Sequence, residues 1–475
     1  KPVVALKVGR TGQGSDAAKS HTGALAGADQ IYDGAFRQYG LIRANRLDDF
    51  TVMLQAFDRL PLPKGARVAV ITNAGGPGVY SLDALSDQGL ALGHFSAETR
   101  ATLATILPPF ASIGHPDGHV DTTGGVVPSQ VARTVATILR DPGIDAVIHL
   151  FIPTKFTPAV ETAQELLNLL PEVKQNGLDK PFFPVFMSGK GVEAARQLLE
   201  SSGLPSFGSP DQVAVTLGAM VRYSREQQQP ATAAMNPPES VSALPALERL
   251  TATCRAEGRT QLTEWETYEA LRAFQIPVAP SRLVSTPAEA AEAAKALGGR
   301  VAVKIVSPDI GHKTDAGCVR LGLTSPEATS AAAAEILANA QRYKADAAIH
   351  GLLVQQMAAP GVELITGGLA DATFGPVLMV GLGGIFTEVL KDVAFRLAPI
   401  SPAEAETMLR SLKGFPLLTG VRGKPPVAIA PLAQAIANLS RLLAAWPELK
   451  ELDLNPLIAT AEGVVAVDGL ATLRG

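Results

Sequence analysis

Short β-rich apolar runs alternate with amphipathic stretches through residues 61–225. "ARVAVITNAGG" reads as a strand ending in a turn, and "GPGVYSLDALSDQG" as a helix closed by Gly89. "DAVIHLFIP" and "KPFFPVFMSG" are apolar on both parities, as strands buried on both faces are. "VEAARQLLESSG" is a helix stopped by glycine. Strands alternating with helices predict an α/β fold with a doubly wound parallel sheet.

The flanking segments read differently. Residues 1–60 hold a short strand, "VVALK", a Gly-rich loop and a helix containing "IYDGAFRQYG", the tail of an α/β domain. Residues 226–240 are Gln-, Pro- and Ala-rich without an apolar period, which marks a linker. From 241 to 475 the order is helix, strand, loop, strand, helix, then further strands. A length of 475 residues suits roughly three domains.

Composition removes several function classes. A net charge of −4 gives no electrostatic case for nucleic acid. No apolar run approaches the ~20 residues a membrane span needs, and "KPVVALKVGR" lacks the apolar core of a signal peptide. Cys254 and Cys318 make neither a disulfide framework nor a zinc motif, so a reducing cytosol is expected. A strand at the first residues suggests a chain that starts inside a domain, with a further part upstream.

Candidate chemistry gathers at five places. In "VITNAGGPGVYSLDAL" a Gly-rich turn joins strand to helix, so backbone N–H groups at Asn73, Gly75, Gly76 and Gly78 suit phosphate, unless the glycines serve only close packing. In "RVAVKIVSPDIGHKTDAGCVRLG" a mid-strand Lys304 needs an anionic partner, and phosphate would serve. The following "GHKTDAG", with His312 and Lys313, suits a lid over nucleotide phosphates; a plain surface hairpin is the alternative. Gln355, Gln356 and Met357 follow an apolar strand and suit an adenine edge, with Glu363 one strand later for ribose hydroxyls. Asn455 and Asp468, on neighbouring strands around "TAEG", offer two oxygen ligands of the kind Mg²⁺ takes alongside phosphates. Finally, His21 in "SHTGALAG" is either part of a polar helix cap or a histidine that carries a proton or phosphate on a loop.

A strand lysine, Gly-rich lid, linker with Glu and paired Asn/Asp, in this order over about 165 residues, resemble an ATP-grasp domain. With "SHTGALAG", "NAGGPG" and "FGPVLMVGLGGIFTEVLKDVAFRLAPI", the whole chain resembles the NDP-forming (ADP-forming) acyl-CoA synthetases, or acetate–CoA ligases, of the succinyl-CoA synthetase superfamily. The resemblance implies flavodoxin-like parts at 1–60 and 61–225, a linker at 226–240 and an ATP-grasp domain at 241–475. It implies ATP, Mg²⁺, CoA and a carboxylic acid as ligands, in a homo- or hetero-oligomer.

In that family His21 carries the phosphate and His312 relays it, while Lys304 and Lys313 touch phosphates. Glu363 meets the ribose, and Asn455 and Asp468 hold magnesium. The lid departs from the family's second glycine at Cys318. The family's CoA-binding part is expected from the same precursor or another chain. Two other readings stay open: a non-catalytic ligase-like region of a protein acetyltransferase, and an ATP-grasp carboxylate–amine ligase. The second leaves "SHTGALAG" without a purpose.

Overall fold

A computed structural model describes residues 1–11, 13–14, 29–175, 179–228, 244–383, 392–421 and 425–475. Packing divides the chain into two units, Lys1–Val8 with Tyr39–Ala231, and Gly9–Gln38 with Thr232–Gly475.

In the first unit, β1 (Val4–Leu6) lies parallel to β2 (Ile42–Ala44). The main sheet holds β3 (Arg67–Thr72), β4 (Ala91–Leu92), β5 (Ser112–Ile113), β6 (His119–Asp121), β7 (Ala146–Phe151) and β8 (Phe182–Phe186). Its order is β5-β6-β3-β7-β8, with β4 beside the start of β3, and only β5 runs antiparallel.

Strand parity explains why helices cover both faces. Val68 and Val70 of β3 join one core cluster with Ile148 and Leu150 of β7. Ala69 and Ile71 join a second cluster with Val147 and Phe151. Each Val, Ile, Leu or Phe among them contributes roughly 1.5–3 kcal/mol on burial, so a one-residue slip has no hydrophilic face to turn outward. This is the doubly wound sheet the periodicity predicts. His149 sits in it fully buried between Phe151 and Phe186, and burial pushes its imidazole down to about 3. It is therefore neutral at physiological pH. Helix Pro210–Gln228 closes the unit and runs through Gln228, three residues into the expected linker. Residues 229–243 lie outside the described residues.

The second unit has two antiparallel sheets. In one, β9 (Ser281–Val284), β10 (Val301–Val306), β11 (Val319–Leu323) and β12 (Gly351–Gln356) take the order β11-β10-β12-β9. Val301, Val303 and Ile305 pack on helices Pro287–Leu297 and Pro326–Tyr343. Period two then puts Lys304 on the opposite face, and Leu353 and Gln355 of β12 share that face.

The second sheet contains β13 (Val362–Asp371), β14 (Gly375–Leu382), β15 (Val393–Leu397), β16 (Leu449–Ala459), β17 (Val464–Ala466) and β18 (Leu470–Leu473). Its order is β15-β14-β13-β16-β17, with β18 also paired to β16. Helices Pro402–Arg410 and Ile429–Ala445 pack on it around the buried Trp446.

Helix Asp29–Gln38 belongs to this second unit by packing. The Gln38 amide stands in for a strand at the free edge of β15. Its Nε2 donates to Leu397 O at 2.9 Å and its Oε1 accepts from Leu397 N at 2.7 Å. Gly34 is required at this contact, because a Cβ would overlap the Phe395 carbonyl. Tyr32 meets Phe374 edge-on at 4.8 Å. Among the described residues no helix is long and apolar enough to cross a membrane.

Candidate functional site

Lys304 has its anion, and it is a carboxylate from this chain. Helix Glu264–Ala273 starts with a capping box: Thr263 Oγ1 accepts from Glu266 N at 3.3 Å, and Glu266 Oε2 accepts from Thr263 N at 2.8 Å. That fixes Glu264 in the first turn, with its side chain 1% exposed. Its Oε1 accepts from Lys304 Nζ at 2.6 Å and from Tyr268 Oη at 2.9 Å, and its Oε2 from Lys313 Nζ at 2.7 Å. Lys304 Nζ also donates to Val467 O at 2.8 Å, and Gln355 Nε2 donates to Tyr268 Oη at 2.9 Å.

An unpaired carboxylate at this depth would cost several kcal/mol. Burial alone pushes the Glu264 carboxyl up, but the Lys304 and Lys313 charges and hydrogen bonds outweigh it, and the group sits below the usual carboxylate range.

Asp468 lies just past β17 in the link to β18, not on a strand as the sequence reading has it. Burial and the nearby Glu264 charge raise its carboxyl above the ordinary Asp value, against the pull of Lys304 and Lys313. The pairs Leu457–Ala466 and Asp453–Leu470 set the register on either side, so Asn455 of β16 faces Asp468. The bond from Val467 N to Pro456 O, 3.3 Å, closes the same stretch. Asn455 is exposed. Among the described residues no group of three or more His, Cys, Asp or Glu side chains is arranged to hold a metal ion. The Asn455 amide and the Asp468 carboxylate offer hard oxygens of the kind Mg²⁺ takes alongside phosphates, and Asp468 lies near enough to Lys304 and Lys313 to feel both charges.

The adenine-side expectations meet a constraint. The Gln356 and Met357 N–H groups are already donated, to Pro280 O and Arg300 O, both at 2.8 Å. The buried Gln355 side chain serves the Tyr268–Glu264 network. Met357 is exposed. Glu363 is exposed on β13, paired with Ile458 of β16.

The segment between β10 and β11 is the expected lid-like loop. Ile310 and Cys318 root it in the apolar core with Ala333 and Ile336. Cys318 at the glycine position is thus an anchor, with Sγ 3.4 Å from Ala316 O. Gly317 takes φ +64°, and His312 is exposed between these roots.

The strand–helix turn lies in the other unit. Helix Gly75–Asp87 starts at Gly75, and Gly76 has open space where a Cβ would stand. Gly78 is a packing glycine, because a Cβ would come within 3.0 Å of His119 and Thr72. Asn73 is buried, and its amide clamps the Ile152 backbone, donating to O at 2.7 Å and accepting from N at 2.9 Å. Its side chain is thereby committed to the end of β7. His21, with Ser20, Thr22, Gly23 and Gly27, lies outside the described residues.

Residues 253–473 match the family described as ATP-grasp domain, 68–230 the Ligase-CoA domain, and 1–57 the succinyl-CoA ligase like flavodoxin domain. The chain is 42% identical over 214 residues to the acetate–CoA ligase [ADP-forming] I subunit beta of Pyrococcus furiosus, covering 45% of this chain and 92% of that one. It belongs to the ADP-forming acetate–CoA ligase family.

Against the 4-hydroxybutyrate–CoA ligase [ADP-forming] of Nitrosopumilus maritimus it is 34% identical over 464 residues, covering 98% of this chain and 65% of that one. The chain therefore spans about 65% of the length of such curated relatives. A solved chain of Ca. Korarchaeum cryptofilum acetyl-coenzyme A synthetase 1, in complex with coenzyme A, Ca-AMPCP and HgCl+, is 41% identical and covers 48% of this chain and 99% of its own, at a TM-score of 0.46.

Sequence reasoning missed Glu264 and Tyr268. One signal pointed to them: a lysine in a strand buried on both sides requires a carboxylate.

Proposed function

We propose that this chain supplies the ATP-using and phosphohistidine-bearing parts of an ADP-forming acyl-CoA synthetase. Carboxylate, CoA and ATP give acyl-CoA, ADP and phosphate. The observation that carries the reading is the Glu264–Lys304–Lys313 cluster with Asp468 close by.

Lys304 and Lys313 hold phosphate oxygens through the N–H groups that Glu264 and Val467 leave over. Asn455 and Asp468 would hold Mg²⁺, which would supply charge neutralisation to the phosphates when bound. Glu363 receives the ribose, and the Gln355–Met357 stretch borders the adenine. His312 takes the phosphoryl group on a neutral ring nitrogen and passes it to His21. The open helix start at Gly75 and Gly76 offers backbone N–H groups to phosphate. The substrate carboxylate then takes the phosphoryl group from His21, and the CoA thiol displaces phosphate from the acyl phosphate.

The CoA-binding part comes from the same precursor or another chain, as the alpha and beta subunit names of the Pyrococcus furiosus relatives suggest. The reading places the reaction in the cytoplasm, where ATP and CoA are available.

The complete enzyme, given Mg·ATP, CoA and a panel of short-chain, branched and aryl acids, is expected to form acyl-CoA and ADP in equal amounts. Formation of AMP and pyrophosphate, or ATP consumption with no acyl-CoA from any acid, would rule the reading out.

A further inference from the structure

The lid-like loop is rooted at both ends but held only lightly in its middle. Ile310 and Cys318 are buried with the helices on one face of the sheet. Among the described residues three side-chain hydrogen bonds tie down the stretch between them: Asn339 Nδ2 donates to Gly317 O at 2.8 Å, Lys313 Nζ donates to Glu264 Oε2 at 2.7 Å, and Cys318 Sγ donates to Ala316 O at 3.4 Å. The second crosses to the opposite face, where Glu264 also holds Lys304 through its other oxygen. One buried carboxylate therefore sets the spacing between a rigid strand lysine and a loop lysine next to His312. Tyr268 fixes that carboxylate by donating to Oε1, and is itself held by Gln355.

An ammonium group has three donors. Lys304 spends two, on Glu264 and Val467 O, and Lys313 spends one on Glu264. Donors remain on both lysines for a polyphosphate while the carboxylate keeps its grip. The pairing is therefore compatible with phosphate contact.

We propose that Glu264 is a positioning residue for phosphoryl transfer: it acts through Lys313 to fix the lid-like loop, and with it His312, relative to Lys304. This rests on the proposed phosphohistidine reaction, but its first test needs no turnover. The amides of Ala316, Gly317 and Cys318 donate within the loop to the carbonyls of His312, Thr314 and Lys313 at 3.1, 3.0 and 2.8 Å, so their hydrogen exchange reports loop opening.

In Glu264→Gln, which keeps the side-chain shape and an acceptor for Tyr268, exchange at these three amides is expected to rise about tenfold or more, with β10 amides unchanged. Lys313→Met should give the same rise while leaving Glu264 paired to Lys304, and so covers a Glu264→Gln variant that folds poorly. In the complete enzyme, Glu264→Gln should lower the phosphorylation rate at saturating Mg·ATP about tenfold or more while Kd for Mg·ATP moves less than about threefold. In a Lys313→Met background the same substitution should add less than about threefold.

Unchanged exchange at the three amides in both variants overturns the proposal. So does a defect that resides wholly in Kd, or two rate effects that multiply. A wild-type enzyme that forms no phosphohistidine would refute the proposed function alone, because the exchange comparison still decides what Glu264 does.

Discussion

Asp468→Asn is expected to cut ATP-dependent phosphorylation on the order of 100-fold or more while leaving the melting temperature at neutral pH unchanged or higher. The two halves have one cause. Asp468 is held near Glu264 in a partly dry site, and its carboxyl is raised above the ordinary Asp value. A raised carboxyl pKa means that the ionised form is disfavoured by folding. The stability it contributes is present below the unfolded pKa and lost as pH rises through the folded pKa. At pH 7 the charge is thus a cost, which asparagine removes. At a pH below the unfolded value both proteins carry a neutral group, and the difference in melting temperature should vanish. The carboxylate persists at neutral pH as a Mg²⁺ ligand in this reading, so its loss should appear in catalysis. Normal phosphorylation kinetics in Asp468→Asn would remove the residue from the metal site. A large fall in melting temperature would mean that its role is in packing.

His312→Ala carries the other large effect. His312 is exposed on a loop whose roots, Ile310 and Cys318, are buried, so truncating its ring costs no core packing. In the relay reading no other group hands the phosphoryl from nucleotide to His21. Labelling of His21 from γ-labelled ATP should then fall about 1,000-fold or more at any ATP concentration, since covalent relays act as a unit. Labelling from acyl-CoA and phosphate, which bypasses the nucleotide site, should persist in the complete enzyme. If saturating ATP restores His21 labelling in His312→Ala, the ring only supports nucleotide affinity and the relay fails.

Much of this was legible in the chain because it depends on local period. Burial of β3, β7 and β10 on both faces follows from runs such as "VAVIT" and "VAVKIV", and the strand period put Lys304 on a buried face needing an anion. The turn "TAEG" is legible as the link between β16 and β17, although Asp468 lies beyond the strand on which it was expected.

What was not legible depends on contacts between distant residues. Glu264 reads in sequence as an acidic residue in a first helical turn, where such residues usually face water and the helix dipole. Only the fold reveals that Lys304, 40 positions on, and Lys313, 49 positions on, converge on it. The hold of the Asn73 side chain on Ile152, 79 positions away, has no signal in the neighbouring sequence. The pairing of Gln38 with Leu397, 359 positions along, has no local signal either.

The central claim is that this chain carries a phosphate from ATP on His21. The direct measurement is mass spectrometry of the complete enzyme after brief incubation with Mg·ATP, digested at alkaline pH, where a phosphoramidate survives. The account predicts one acid-labile phosphate on the peptide containing "SHTGALAG", assigned to His21 and lost on adding CoA and a substrate acid. An unmodified His21 in an enzyme that still converts ATP to ADP and forms acyl-CoA would contradict it.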